Sequence, residues 1–346
     1  MTVTVFSEIQ QHDLAWSLRP VTNSFLIFGI DLNVRQRSVY RRWALSVFGM
    51  LILCYLGYSY WGYFSNYKSI HKVEEAMNTR YVYFYIHVVS KTSFHMTIQV
   101  MLFTTAFFKW ETLWNTVQEM EHFIRLPIRP YDQIRTAVTA STISFFVLVN
   151  YWHFNATRTW LNFVLRQVCI FTLKSHMSNL VTFNGDMEME MEIRYFLLAI
   201  PGRLATYYFN CIVVVLFVVL TWFASLNIQL IADDVRNFRP KLGHATELRL
   251  NRWNKNYALI SNVVEEIGRF FGPYLVVFTS KTFIVTINFA FNAVHSTFFQ
   301  GNTDISGFLF LTCLDVLLLV IIVLAVEQMK KKVQPKTLHW AQLLNA

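Results

Sequence analysis

Six long apolar stretches constrain the fold of this chain more than any other feature of its sequence. A helix needs about 20 mostly apolar residues to cross the hydrocarbon core of a bilayer, and each stretch meets or approaches that length. The stretches are residues 43–64, 82–108, 137–154, 195–230, 270–295 and 308–326. They predict an all-α, polytopic helical membrane protein with about six transmembrane helices, in which residues 1–346 form a single transmembrane domain.

The composition argues against a water-soluble protein. Apolar residues make up 54% of the chain and charged residues only 15%, whereas a soluble domain carries about 25% charged residues. Too little polar surface is present to cover several soluble domains, so lipid is the expected solvent for much of the chain.

The net charge of +9 at pH 7 raises the question of nucleic-acid binding. The sequence has no zinc-finger spacing and no RNP-like motif, and its longest basic run is the three lysines at 330–332, directly after an apolar stretch. In membrane proteins an excess of Lys and Arg is typical of cytoplasmic loops that face anionic lipid. We therefore expect the lipid bilayer, and no nucleic acid, as a partner.

Signatures of enzymes, cofactors and metal sites are missing from the sequence. It has no HExxH, no histidine box of the membrane-desaturase type, no GxSxG and no glycine loop for phosphate. The four cysteines show no CxxC spacing, and we interpret them as small apolar packing residues. The prediction is a protein that is not an enzyme and that holds no cofactor or metal.

Two segments depart from a simple single crossing. Residues 195–230 are long for one span, and the part containing Pro201 is expected to project beyond the bilayer or to kink. Residues 160–183 are apolar but carry Arg166 and Lys174. Because a charge near the centre of a span costs about 2.5–3.5 kcal/mol, this segment is predicted to be re-entrant or to lie on the surface.

The distribution of Lys and Arg predicts the orientation. With the N-terminus inside, the cytoplasmic segments are 1–42, 109–136, 231–269 and 327–346, and they contain 5, 4, 7 and 4 basic residues, 20 in all. The opposite segments, 65–81, 155–194 and 296–307, contain 3, 4 and 0, a total of 7. The positive-inside rule then favours a cytoplasmic N-terminus in a multi-pass protein.

Ionisable residues inside the apolar stretches are candidates for a ligand site, because lipid makes them costly. His87, Lys91 and His95 recur every four residues in the second stretch and share one helical stripe. Lys281 lies near the middle of the fifth stretch and Asp315 lies in the outer half of the sixth. A Lys–Asp pair between helices would lower the cost of both charges.

One hypothesis places these residues around an outward-facing pocket between the second, fifth and sixth spans. Tyr83, Tyr85 and Trp152 would lie near its rim. The alternative is that Lys91 snorkels to the interface, that the histidines bond neighbouring carbonyls, and that the aromatics belong to an interfacial belt. Both interpretations remain open at this point.

Three segments carry a resemblance to a known family. Residues 248–278, which continue in a Phe-rich run to Phe289, resemble the cytoplasmic helix and fifth span of the insect gustatory receptor family. Residues 110–121 look like that family's helix after the second span, and residues 225–230 like the exit of its fourth. The segments occur in the family's order, and the predicted orientation also matches.

The resemblance implies a receptor subunit of the ligand-gated cation channel type in the plasma membrane. Its members form homo- or hetero-tetramers, bind a small-molecule tastant from the extracellular side, and carry cytoplasmic helical extensions. The spacing of Trp253 and Tyr257 and the 110–121 helix lean toward the sugar-sensing branch.

The sequence departs from the family in its last span. The pattern of Thr-Tyr, apolar residues and Gln-Phe expected of a seventh span does not follow Val326. This chain is therefore expected to lack that span, as a truncated product or as a non-conducting accessory subunit. A small-solute transporter is a third possibility, which the intramembrane charges favour and the lack of an internal repeat disfavours.

Overall fold

The computed structural model describes residues 13–32, 40, 43–55, 80–124, 126–164, 207–238, 244–299 and 306–344. Within those residues the chain forms helices and no strand. The helices are α1 (Leu14–Leu26), α2 (Trp43–Tyr55), α3 (Arg80–Phe123), α4 (Ile128–Val164), α5 (Phe209–Arg236), α6 (His244–Phe299) and α7 (Ser306–Leu344). The prediction of an all-α fold is confirmed for the described part of the chain.

Four helices contain stretches long and apolar enough to cross a membrane. They are Ile128–Tyr151 in α4, Phe209–Arg236 in α5, Glu247–Ala290 in α6 and Thr312–Lys332 in α7. α2 is apolar but shorter. The chain is therefore consistent with a helical membrane protein.

α5 is the central helix of the bundle. In its most apolar 18-residue window 83% of the residues are buried, against 22% in α4 and 28% in α7. A helix that is apolar on all sides packs inside a bundle, whereas α4 and α7 leave large apolar side chains exposed, as helices that face lipid do. α5 contacts α1, α4, α6 and α7.

Aromatic contacts show that neighbouring helices run antiparallel. Along α3 and α6, the ring centroids of Trp110 and Phe270 lie 5.5 Å apart, and Nζ of Lys255 lies 4.2 Å from the ring centroid of Phe123. Higher numbers on α3 thus meet lower numbers on α6. The same holds for α5 and α6, where Phe217 packs edge-on against Phe271 at 5.3 Å and Trp253 hydrogen-bonds Asp234.

α3 and α6 are longer than a bilayer crossing requires. They contain 44 and 56 residues, or about 66 and 84 Å at 1.5 Å per residue, against a hydrocarbon core of about 30 Å. Each helix is therefore more than twice as long as the hydrocarbon core is thick. α6 is continuous through Pro273.

α1 was not among the predicted helices and lies in residues 1–42, which were assigned to the cytoplasm. The carboxylate of Asp13 caps α1 by accepting a hydrogen bond from the backbone N–H of Trp16 at 2.7 Å. One face of the helix is buried, formed by Leu14, Leu18, Val21 and Phe25. This face packs against α4 and α5, so residues 13–32 belong to the bundle core.

The predicted spans map onto the helices in chain order. The first is helical at Trp43–Tyr55, and its remainder, 56–64, lies outside the described residues. The second and third lie within α3 and α4, and the fifth and sixth within α6 and α7. Residues 209–230 of the fourth lie in α5. The expected kink near Pro201 lies outside the described residues.

The predicted re-entrant segment, 160–183, overlaps the end of α4 at Val164, and its remainder also lies outside the described residues.

Candidate functional site

A buried ion pair joins α6 to α7. Nζ of Lys281 lies 2.8 Å from Oδ1 of Asp315, and the two side chains are 0% and 2% exposed. The residues are 34 positions apart in the chain and come from two antiparallel apolar helices. Because an isolated charge is costly inside a bilayer, each side chain makes the burial of the other possible.

Aromatic rings enclose the pair on the α6 side. Tyr274, Phe278 and Lys281 lie at positions i, i+4 and i+7, which places them on one face of the helix. The rings of Tyr274 and Phe278 stack with centroids 5.5 Å apart and planes at 18°, and Nζ of Lys281 lies 5.3 Å from the centroid of Phe278. All three side chains are fully buried, so the pair lies in a medium of low dielectric constant.

α5 contributes a third wall to this site. Cys211, two residues after the start of α5, is fully buried and lies within electrostatic reach of both Lys281 and Asp315. Tyr274 is within reach of Cys211 and Asp315. The site therefore lies where the central helix meets α6 and α7, and a shift of any one of these helices would change the environment of the pair.

Two buried atoms at the site retain hydrogen-bonding capacity. Within the described residues, Oδ2 of Asp315 and the hydroxyl of Tyr274 have no hydrogen-bond partner. A carboxylate oxygen accepts hydrogen bonds, and a phenol both donates and accepts. These two atoms therefore offer an acceptor and a donor to any polar group that reaches them when the helices separate.

The pairing of Lys281 with Asp315 agrees with the expectation that a lysine and an aspartate would compensate each other across helices. The sequence did not single out Tyr274 or Cys211, although Tyr274 lies two helical turns before Lys281 on the same face. The seven-residue spacing between Tyr274 and Lys281 is the sequence feature that could have identified Tyr274 as a neighbour of the pair.

The other predicted site residues lie on α3. The backbone of His87, Lys91 and His95 is helical, and their spacing keeps them on one stripe. Their side chains, like those of Tyr83, Tyr85 and Trp152, lie outside the described part of the chain. Their participation in a pocket remains a prediction.

The antiparallel register places these α3 positions along the bundle relative to the pair. Trp110 lies opposite Phe270 and Phe123 opposite Lys255, so the level of Lys281 corresponds to residue 99 on α3. Lys91 is eight residues further along, or about 12 Å at 1.5 Å per residue. Gln99, which is buried, is thus the polar α3 residue closest to the level of the pair.

A partly open cleft lies beside Gln99 and the first residue of α5, Phe209. Its empty volume is about 270 Å³, including the part that opens to the surface, and it lies between α2, α3, α5 and the segment after α1. Its lining consists of Phe28, Ile30, Gly49, Ile52, Leu53, Gln99, Phe103 and Phe209. The cleft is a different place from the predicted pocket between α3, α6 and α7, and Gln99 is the one polar side chain among these lining residues.

Comparison with known protein families and with curated proteins finds no match to this chain.

Proposed function

We propose that this chain is a chemosensory receptor subunit of the gustatory type, a ligand-gated cation channel subunit in the plasma membrane. The observation that carries the proposal is the buried Lys281–Asp315 pair between two apolar helices. Ionisable residues within membrane helices are rare and costly, and they typically mark ligand sites, ion pathways or switches.

The pair fits a receptor because it can exist in two states. When it is intact, it holds α7 against α6 beside the central helix. A ligand that favours an arrangement in which the two helices separate shifts the population by its differential affinity for the two states. A tastant bearing hydroxyl groups, sugars being the leading class, has the donors and acceptors that Asp315 and Tyr274 can engage.

The proposed topology has six spans with the N-terminus inside. It is supported by the four candidate spans, by apolar α2, and by the excess of basic residues, 20 against 7, in the segments assigned to the cytoplasm. The lengths of α3 and α6 agree with helical extensions beyond the bilayer. A homo- or hetero-tetramer with related receptors would assemble through these extensions. An N-terminal epitope that reacts with antibody in intact, unpermeabilised cells would overturn this orientation.

The functional test is current recorded from cells that express the chain. Wild-type protein should conduct cations when sugars or other small tastants are applied outside. At equal surface expression, Lys281→Met or Asp315→Asn should shift the half-maximal concentration by roughly 5–150-fold, the usual range of coupling between a ligand and a conformational change.

Cys313→Ala provides the matched control, because Cys313 lies two residues from Asp315 but is exposed. Its dose–response curve should match that of the wild type. If the two pair variants also match the wild type, the pair has no part in the response. Current that appears only with a related receptor co-expressed would identify the chain as an accessory subunit.

A small-solute transporter is the second candidate, because buried intramembrane charges also serve transport. Saturable uptake of a radiolabelled solute without any conductance would favour it over the receptor.

A further inference from the structure

We infer that the end of the α7 span binds the headgroup of an anionic phospholipid through Lys330, Lys331 and Lys332, with the acyl chains lying along the exposed apolar face of the same helix. The side of the membrane is the cytoplasmic one, and this part of the inference rests on the orientation proposed above.

One face of α7 is apolar and exposed between residues 316 and 326. Leu314, Leu318 and Ile322 are buried against the bundle. The opposite side is formed by large apolar side chains that are 37–55% exposed, namely Val316, Leu317, Val320, Val323, Leu324 and Val326. In a helix that crosses a bilayer, such a face contacts lipid chains.

Lys330 and Lys331 continue this face, and Lys332, which is half-buried, adds its charge from the adjoining side of the helix. A separation of seven residues returns a helix to nearly the same direction, so Lys330 lies below Val323 and Lys331 below Leu324. Lys330 and Lys331 are exposed. Each lies about 10 Å along the axis from its apolar partner at 1.5 Å per residue, which suits one lipid molecule whose chains contact the valines and leucines while its headgroup meets the lysines.

The height of the lysines is set by the helix. The unbroken apolar run of α7 ends at Val326, so Lys330 lies four residues beyond it, or about 6 Å at 1.5 Å per residue. α7 continues as a helix to Leu344, so the distance between the lysines and the end of the apolar run is fixed. The lysines therefore lie just beyond the apolar run, where lipid headgroups are expected.

The local charge is strongly positive. Nζ of Lys331 lies 2.7 Å from Oε1 of Glu327, which offsets one charge. Residues 327–332 contain three lysines and one glutamate, so their net charge is 3 − 1 = +2. Juxtamembrane lysines attract anionic lipid by about a fivefold increase in affinity each, and more salt weakens this attraction.

The test uses the full chain purified in a neutral detergent. The probe is dioctanoyl phosphatidylinositol 4,5-bisphosphate, compared with dioctanoyl phosphatidylcholine and with free inositol trisphosphate. Wild-type protein should bind the anionic lipid more tightly than either comparison molecule, and less tightly as salt is raised. The triple variant Lys330→Gln/Lys331→Gln/Lys332→Gln should lose affinity on the order of 100-fold, the product of three fivefold factors.

The control variant Arg236→Gln/Arg249→Gln/Arg252→Gln removes the same charge from exposed positions at the end of α5 and the start of α6. It should bind the lipid within about twofold of wild type if binding is local to α7. Equal losses of lipid affinity in both triple variants would show that binding depends only on the net charge of the protein. Unchanged lipid affinity in the lysine variant would show that the lysines are not the binding site. Tight binding of free inositol trisphosphate would assign the lysines to soluble phosphates.

Elution of each variant as one monodisperse peak shows that it is folded. The assay involves no tastant and no current, so its failure leaves the receptor proposal untouched, and the reverse also holds.

Discussion

The indole Nε1–H of Trp253 donates a hydrogen bond to Oδ2 of Asp234 at 2.7 Å, which ties the end of α5 to the early part of α6. The same indole packs edge-on against Phe238, with ring centroids 5.2 Å apart and planes at 86°. The contact holds the end of the central helix, α5, against the start of α6, the longest helix of the bundle. Lys281 lies further along the same α6 helix.

Removing the indole N–H should weaken this connection without emptying the core. Trp253→Phe keeps an aromatic ring against Phe238 but loses a hydrogen bond to a charged acceptor, so we expect a loss of about 1.5–3 kcal/mol in the free energy of unfolding. Trp253→Ala also leaves a cavity and should cost about 3–5 kcal/mol. Denaturant unfolding in detergent micelles measures both. Equal losses would show that the ring contributes nothing beyond its N–H, and an unchanged Trp253→Phe variant would show that the hydrogen bond is dispensable.

Breaking the ion pair on one side should be worse than removing it altogether. Lys281→Met or Asp315→Leu leaves the other charge buried and uncompensated, which costs about 3–5 kcal/mol. The double variant Lys281→Met/Asp315→Leu buries no charge and should recover most of that loss. The thermal midpoint of a fluorescently tagged protein in detergent provides the measurement, and additive losses in the double variant would contradict a direct pair.

Gly29 should not tolerate a side chain. Its φ is +73°, a region that favours glycine, and a Cβ built there would lie 2.3 Å from the backbone nitrogen of Gly49 in α2. Gly29→Ala therefore forces the segment after α1 away from α2. We expect a loss of at least about 1–3 kcal/mol from backbone strain alone.

Gly268→Ala is the control for this substitution. Nothing lies within 4 Å of a Cβ at Gly268, and alanine is favoured over glycine in a helix by about 1 kcal/mol. This variant should be neutral or slightly more stable. Similar midpoints for Gly29→Ala and the wild type would show that the close approach of α2 is not required.

The carboxylate of Glu121 should hold α1 in place. Its Oε1 accepts a hydrogen bond from the backbone N–H of Leu14 at 2.8 Å, so a side chain of α3 satisfies a donor at the N-terminus of α1. Glu121→Ala should increase hydrogen–deuterium exchange across Leu14–Leu26, because local opening of α1 becomes easier.

Glu119→Ala is the matched control for Glu121→Ala, since Glu119 lies on the same helix and is exposed. It should leave the exchange of α1 unchanged. Faster exchange in both variants would point to a general effect of charge on α3.

Most of the long helices among the described residues can be predicted from local pattern. A run of about 20 apolar residues has few stable states other than a helix in lipid or in a core, and for this reason α3 to α7 each overlap one of the predicted spans. The two members of the ion pair could also be identified as candidates from the sequence, because Lys281 and Asp315 are charged residues within apolar stretches.

α1 was missed because its signals are weak. The helix has 13 residues, carries Pro20 in its interior, and lies in a segment whose basic residues suggested a cytoplasmic connection. Its stability comes from Phe25 packing on Phe209 and from Ser17 donating to the carbonyl of Tyr131 at 2.9 Å, contacts that span more than 100 residues of sequence.

The apolar runs and the rare charges within them specify that this chain forms long helices suited to lipid, since hydrophobicity and helical hydrogen bonding act over neighbouring residues. Which helix is central, and which cation faces Asp315, depends on packing between distant segments. Counted from the ends of the apolar stretches, Lys91 and Asp315 both fall in the outer half and Lys281 falls near the middle. The register of α6 and α7 nevertheless brings Lys281 to within 2.8 Å of the carboxylate. Side-chain packing selects that register, and no local pattern encodes it.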